Sequence, residues 1–413
     1  MREAENKVQV RDELVGPLER PVFGAGSSLR ALIRIDGRRM LLTWLLVLLL
    51  RGYPGIAQEP ENARWIGDAP AAALPLARDL SAKIDKRDVA HAMEKVADWQ
   101  LNRVEAGFDQ DWTFGALYAG FMAVPDAAGG KKYREAMLRM GKKFAWSPGP
   151  RVGHADDIAV SQTYLDLYAR THDAAMLEPT QKNIDAVMRI PDNAEKPLWW
   201  WCDALFMAPP VLVKLARATG NRKYLDFMDR EWWITSGLLY NTNDHLYFRD
   251  SSFLNAHEAN GRSLYWSRGN GWVFAGLARV LALMPEDYPD RARYVEQFRA
   301  MAAEIASIQN ADGLWTAGLL DPASYKLPEV SGSAFFTFGF AWGINAGILD
   351  GAEYRPVVER AWKGLLGYVY EDGRLGSIQP VGGAPGVYAE TSSYVYGTGA
   401  FLLAGSEVYR LAR

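Results

Sequence analysis

Gly271-Trp272-Val273-Phe274-Ala275-Gly276-Leu277-Ala278 is apolar or small on every side. A helix of this composition has no solvent face and must be surrounded by other helices. Further on, Tyr294, Phe298, Met301, Ile305 and Ile308 recur at steps of four, three, four and three. That is the stripe of a helix burying one face and leaving charges on the other. The first pattern predicts an inner helix and the second an outer one. Outer-type segments recur near 86–105, 130–145, 174–189, 221–233 and 354–370, while inner-type segments begin near Asp111, His154, Asp203, Gly271, Ser333 and Ser393. Six outer segments, each followed by an inner one, predict an all-α fold: a single (α/α)6 barrel whose repeat is a helical hairpin.

The spacing widens in the second half, where short β-hairpin insertions are expected. Leu238-Leu239-Tyr240 and Leu246-Tyr247-Phe248 flank the turn signal Asn241-Thr242-Asn243-Asp244-His245. Ala311-Asp312-Gly313-Leu314-Trp315 and Glu371-Asp372-Gly373-Arg374-Leu375 punctuate two passages from outer to inner helix. The expected division is an N-terminal extension and signal peptide over 1–57, a linker over 58–79, and the barrel over 80–413.

Composition narrows the function. The chain has 413 residues with 49% hydrophobic, enough for one large domain or two. Aromatics make up 12%, with 15 Trp and 19 Tyr, which suits a cleft that stacks on flat, polar-edged ligands such as sugars. Charge is nearly balanced at −3 without a basic block, so nucleic acid is not an expected partner. The single Cys202 cannot form an internal disulfide, and with five scattered His no metal site is expected. Arg38-Arg39, the apolar run Met40–Leu50 and the small residues Gly55-Ile56-Ala57 ahead of Gln58 read as a secretory signal, with Met40 an alternative start. The run is short for a bilayer span, so no stable membrane anchor is expected. The protein is therefore expected to be exported, to the periplasm or beyond. Without residues 1–57, the 46 Lys/Arg and 49 Asp/Glu of the chain become 37 and 43, a net charge of −6. Oligomeric state has no signature in the sequence.

In such a barrel the loops leading into the inner helices gather at one end, so their residues converge. Trp199-Trp200-Trp201-Cys202-Asp203 places a carboxylate among large apolar side chains. Desolvation there favours the neutral acid and makes Asp203 a candidate proton donor; the alternative is a helix N-cap. His154-Ala155-Asp156-Asp157 sets two acids at a helix start, one a possible cap and the other free to face the pocket. Trp266-Ser267-Arg268-Gly269-Asn270-Gly271-Trp272 puts a guanidinium between two indoles. Arg268 is either an anchor for an acidic sugar or a salt bridge that ties the loop down.

The two motifs around Asp203 and Arg268 resemble those of the unsaturated uronyl hydrolases, glycoside hydrolase families 105 and 88, including the unsaturated rhamnogalacturonyl hydrolases. The Trp266–Trp272 stretch is similar to the family's Trp-x-Arg-x-x-x-Trp signature, and Trp201–Met207 to the segment bearing its catalytic acid. The resemblance implies a cofactor-free glycoside hydrolase. It would remove a 4,5-unsaturated uronic acid from the non-reducing end of lyase-generated oligosaccharides, of rhamnogalacturonan type or related. In the family an Asp protonates C4, water adds at C5, and the resulting hemiketal opens. By similarity Asp203 and Asp157 are the catalytic carboxylates, and Trp112, Asp156, Trp266, Arg268 and Trp272 bind substrate. The family's hairpin His is replaced here by a stretch holding Arg249, which could instead meet an acidic group of the substrate, and Asp156-Asp157-Ile158-Ala159 stands where family 88 shows His-Asp-x-Gly. Other readings are a polysaccharide lyase or an ordinary glycosidase on the same barrel, or a non-catalytic carbohydrate-binding protein.

Overall fold

The computed structural model describes residues 63–191, 193 and 197–412. The leader expected over 1–57, and most of the 192–196 stretch, lie outside them. Six outer segments alternate with six inner ones. The outer series is α1 (Lys86–Val104), α3 (Gly130–Lys143), α6 (Glu178–Val187), α9 (Lys223–Leu239), α11 (Arg291–Ser307) and α13 (Gly351–Leu366). The inner series is α2 (Trp112–Ala123), α4 and α5 (Ala155–Ile158, Ser161–Thr171), α7 and α8 (Ala204–Met207, Pro209–Thr219), α10 (Ser267–Leu281), α12 (Val330–Asn345) and α14 (Val395–Leu411).

The inner helices close a ring. α2 packs on α5, α5 on α8, α7 on α10, α10 on α12, α12 on α14, and α14 back on α2. Outer helices α3, α9, α11 and α13 pack on the inner helix before them, and α1 packs on α14. The sequence pattern explains the division of labour. α12 is buried from Val330 through Gly343, whereas α11 buries Tyr294, Gln297, Phe298, Met301, Ala302 and Ile305 and leaves its charges out. Small residues let inner backbones touch: a Cβ on Gly120 would stand 2.6 Å from the Gly399 carbonyl oxygen, and one on Gly276 would stand 2.5 Å from that of Leu205. Such approaches admit only glycine.

Three inner segments begin at the expected positions, with Asp111, His154 and Asp203 as the residues before α2, α4 and α7, although only Asp111 caps its helix with its side chain. α10 and α12 begin one turn earlier than Gly271 and Ser333, because their first turns carry polar or small residues that read as loop. β4 (Ser393–Tyr394) precedes α14 and pairs with β1 (Gly67–Asp68). Within the expected 58–79 linker, the described residues 63–79 are bonded to the barrel. Asp68 receives Arg103 at 2.9 Å and Arg374 at 2.7 Å, and the Ala77 N–H donates to Val369 at 2.8 Å. The hairpin predicted around 241–245 is present, with β2 (Tyr240–Asn241) antiparallel to β3 (Leu246–Tyr247) and Tyr240 opposite Tyr247.

The third inner segment is broken at Ala208 by Pro209 and Pro210. Neither proline has an N–H to give the carbonyl one turn earlier. Gln162 of α5, fully buried, compensates: its Nε2 donates to the Phe206 carbonyl at 2.8 Å and to that of Met207 at 3.1 Å. The turn carrying Asp203 is thus held by a side chain from the neighbouring inner helix.

Candidate active site

Asp203 stands ahead of α7 with helical dihedrals, φ −60° and ψ −28°, and its side chain caps nothing. The N-cap alternative is therefore set aside by geometry. Its carboxylate is buried, 3.5 Å from Arg249 Nε, and it accepts a weak bond from the Cys202 thiol at 3.7 Å. Burial holds Asp203 above the usual carboxylate range, with the Arg249 charge opposing. The Cys202 N–H donates to the Arg249 carbonyl at 2.8 Å, and Trp201 pairs with Asp250 across an isolated β-bridge. The strand pairing sets acid and guanidinium side by side.

The neighbouring acids have separate tasks. Asp111 is a cap, accepting the Thr113 N–H at 2.9 Å and its hydroxyl at 2.5 Å. Asp157 is taken up locally: Arg151 donates Nε at 2.9 Å, Nη2 at 2.5 Å and its backbone N–H at 2.6 Å. The Gly149 N–H adds a bond to the Asp157 carbonyl at 2.8 Å. Asp157, expected from the resemblance beside Asp203, thus serves the 149–157 loop. Asp156 couples to Asp203 instead. Burial, and after it the Asp203 charge, together push its pKa up to about 7. His154 Nδ1 lies 3.6 Å from Asp156 Oδ2, and burial lowers the imidazole pKa.

The two guanidinium groups also differ. Arg268 is wholly buried and sandwiched, its Cζ 4.4 Å from the Trp266 ring centroid and 4.7 Å from that of Tyr396. Nη1 donates to Gln379 O at 2.6 Å and Nη2 to Pro380 O at 2.8 Å, with Glu329 3.8 Å away. The loop-tying alternative describes these contacts, so Arg268 shapes the wall rather than reaching into the opening. Arg249 keeps 25% of its side chain exposed. Its Nη1 donates to Asp250 at 2.6 Å, its Nε has no hydrogen-bond partner, and its Cζ lies 5.6 Å from the ring of Trp200, itself 36% exposed.

Aromatic groups fill the ring between these charges. Trp112 is partly exposed, stacked on Tyr396 at 5.4 Å and edge-on to Trp272 at 5.9 Å. Trp272 and Trp266 are buried behind it: Trp272 packs on Phe335 at 4.2 Å, and Trp266 Nε1 donates to Gln379 Oε1 at 3.1 Å. The structure thus brings Asp156, Asp203, Arg249 and Trp112 to the mouth and sets Trp266, Arg268 and Trp272 in its backing. Three contributors were not singled out from sequence. Tyr396 lies in the first turn of α14, where a search extended one turn into each inner helix finds it. Gln379 sits in a loop remote from any helix start and has no local signal. Gln162 lies within α5, where a polar side chain in an inner helix ahead of a Pro-Pro pair is a usable clue. Among the described residues, no group of three or more His, Cys, Asp or Glu is placed to hold a metal ion.

A model of Glycosyl Hydrolase Family 88 matches residues 82–412. An unsaturated 3S-rhamnoglycuronyl hydrolase from Formosa agariphila is 39% identical over 349 residues, 79% of this chain and 92% of its own. A solved glycosyl hydrolase family 88 protein from Bacteroides vulgatus superposes with a TM-score of 0.74 at 31% identity, covering 79% of this chain and 99% of its own. A solved structure described as a polysaccharide lyase gives the same TM-score at 32% identity, over 79% of this chain and 98% of its own. The likeness spans the whole barrel and its mouth, and the chain belongs to glycosyl hydrolase family 88.

Proposed function

We propose that this enzyme removes a 4,5-unsaturated uronic acid from the non-reducing end of a lyase-generated oligosaccharide by hydrating the C4=C5 bond. The observation carrying this reading is the buried, non-capping Asp203 carboxyl, held toward its acid form with Asp156 coupled to it. Asp203 delivers its proton to C4, and positive charge develops at C5, shared with the ring oxygen. Water adds at C5 and returns a proton to the carboxylate. The hemiketal opens and releases the remaining sugar. Arg249, partly exposed and beside the acid, suits the uronate carboxylate, while Trp112 and Trp200 suit sugar faces. Asp156 replaces Asp157 as the second carboxylate in this reading. The name of the Formosa relative supports a rhamnoglycuronyl oligosaccharide as the substrate class. The Arg38–Gln58 pattern supports export, which an N-terminal mass of the mature protein beginning at Gln58 tests.

The test is the ultraviolet absorbance of the double bond in an unsaturated disaccharide. Loss of absorbance, abolished in Asp203→Asn with the fold intact, supports hydration. The likeness to a lyase structure favours one other reading, elimination, for which absorbance grows on an intact polymer. Binding without any change in absorbance overturns both.

A further inference from the structure

At the end of the barrel opposite Asp203, side chains from the middle to the C-terminal end of α2, α5, α8, α10, α12 and α14 line a cavity of about 430 Å3. Its charged lining is Asp166 and Arg170 of α5, Lys214 of α8, Arg279 of α10, and Glu407 and Arg410 of α14. Two pairs cancel. Lys214 bonds Asp166, and Arg410 donates to Glu407 at 3.0 Å, where Asn345 Nδ2 donates as well at 2.8 Å. Two cations are left over. Arg170 makes no ion pair among the described residues. Arg279 gives Nε to Gln162 Oε1 at 2.9 Å and makes no ion pair among the described residues, while its Nη2 is buried without a hydrogen-bond partner.

An unpaired buried guanidinium N–H forfeits its hydration with nothing in return, and the desolvated charge of Arg279 compounds the cost, while Arg170 stands at the exposed rim. A counter-anion removes both penalties. The rigid fork of arginine matches two oxygens of one acceptor, a geometry that selects oxyanions over chloride. We propose that this cavity binds a small tetrahedral oxyanion of the sulfate or phosphate class, held by Arg279 and Arg170 with Lys214 beside them. The site is independent of the reaction proposed at the opposite mouth. It still bears on that mouth, because the Arg279–Gln162 bond fixes the amide that holds the Phe206 and Met207 carbonyls.

Thermal unfolding of the full chain, titrated at constant ionic strength with sodium phosphate or sodium sulfate against sodium chloride, tests the site. The expected result is a saturating rise in Tm with phosphate, sulfate or both at millimolar concentration, and none with chloride. Arg279→Gln or Arg170→Gln should raise the half-saturating concentration at least about tenfold, the loss of one charge-assisted bond. Arg170 is exposed, so its variant folds even where Arg279→Gln does not. A rise that never saturates reflects general exclusion of these ions from protein surfaces. That outcome overturns the proposal, as does no rise, or a saturating rise that neither substitution weakens.

Discussion

Arg249 Nε stands 3.5 Å from Asp203 Oδ2 without a hydrogen bond between them, while the same guanidinium gives Nη1 to Asp250 at 2.6 Å. Asp250 is anchored in turn by the Ser252 N–H at 2.9 Å and its hydroxyl at 2.5 Å. The cation is thus positioned by one carboxylate and acts electrostatically on another. It favours ionised Asp203, opposing the burial that raises its pKa. Replacing the charge releases that opposition. Arg249→Gln should move the alkaline limb of the kcat/KM profile to higher pH and raise KM for a uronate substrate. A profile with an unmoved limb removes Arg249 from the electrostatics of the acid.

Asp157 and Asp156 are adjacent and should respond oppositely to neutralisation. Asp157→Asn weakens two charge-assisted bonds from the Arg151 side chain and one from its backbone, a loss of about 1.5–3 kcal/mol. Tm should fall while the folded enzyme keeps most of its kcat. Asp156→Asn should instead reduce kcat and alter the pH profile. Equal loss of kcat in both variants contradicts the division of roles.

The pH dependence of stability separates Asp156 further. Its folded pKa of about 7 lies above the unfolded value of 3.8. Below the unfolded value both states hold the proton, and the group imposes no penalty. As pH rises toward 7 the unfolded chain ionises first, so wild-type stability falls, by at most about 4 kcal/mol at 1.36 kcal/mol per pH unit. Asp156→Asn lacks this loss. The Tm of the variant relative to wild type should therefore climb between pH 4 and 7 and level off above it. A difference independent of pH places the Asp156 proton elsewhere.

Most of the architecture was legible because helix periodicity carries it and polar residues mark where the inner helices begin. Asp111, His154 and Asp203 mark three inner helix starts to the residue. Asp203 was legible as an acid from its three preceding tryptophans. The split between Asp156 and Asp157 was not, since it depends on Arg151 folding back onto one of two adjacent carboxylates. Arg268 was visible as a cation between indoles, but its two acceptors are main-chain carbonyls of Gln379 and Pro380, more than a hundred residues away. Carbonyl acceptors leave no mark in a sequence. Residue type therefore singled out the candidate groups of the mouth, and long-range backbone geometry decided which of them face the opening.

Gln162 offers the sharpest test of how the Asp203 turn is held. The α7–α8 break leaves the Phe206 carbonyl facing Pro210, which has no N–H, and Gln162 Nε2 fills that role while its Oε1 receives Arg279. Gln162→Leu keeps comparable bulk but strands a buried carbonyl and a guanidinium N–H, each costing about 1–3 kcal/mol. Gln162→Glu retains the acceptor for Arg279 and loses the donor to Phe206. If the amide positions the acid, Gln162→Glu should lower kcat and leave KM for the unsaturated disaccharide near wild type, a split that simple destabilisation does not produce. Gln162→Leu should add a fall in Tm. Retention of full kcat in Gln162→Glu at a temperature well below its Tm shows that the turn holds its geometry without this bond.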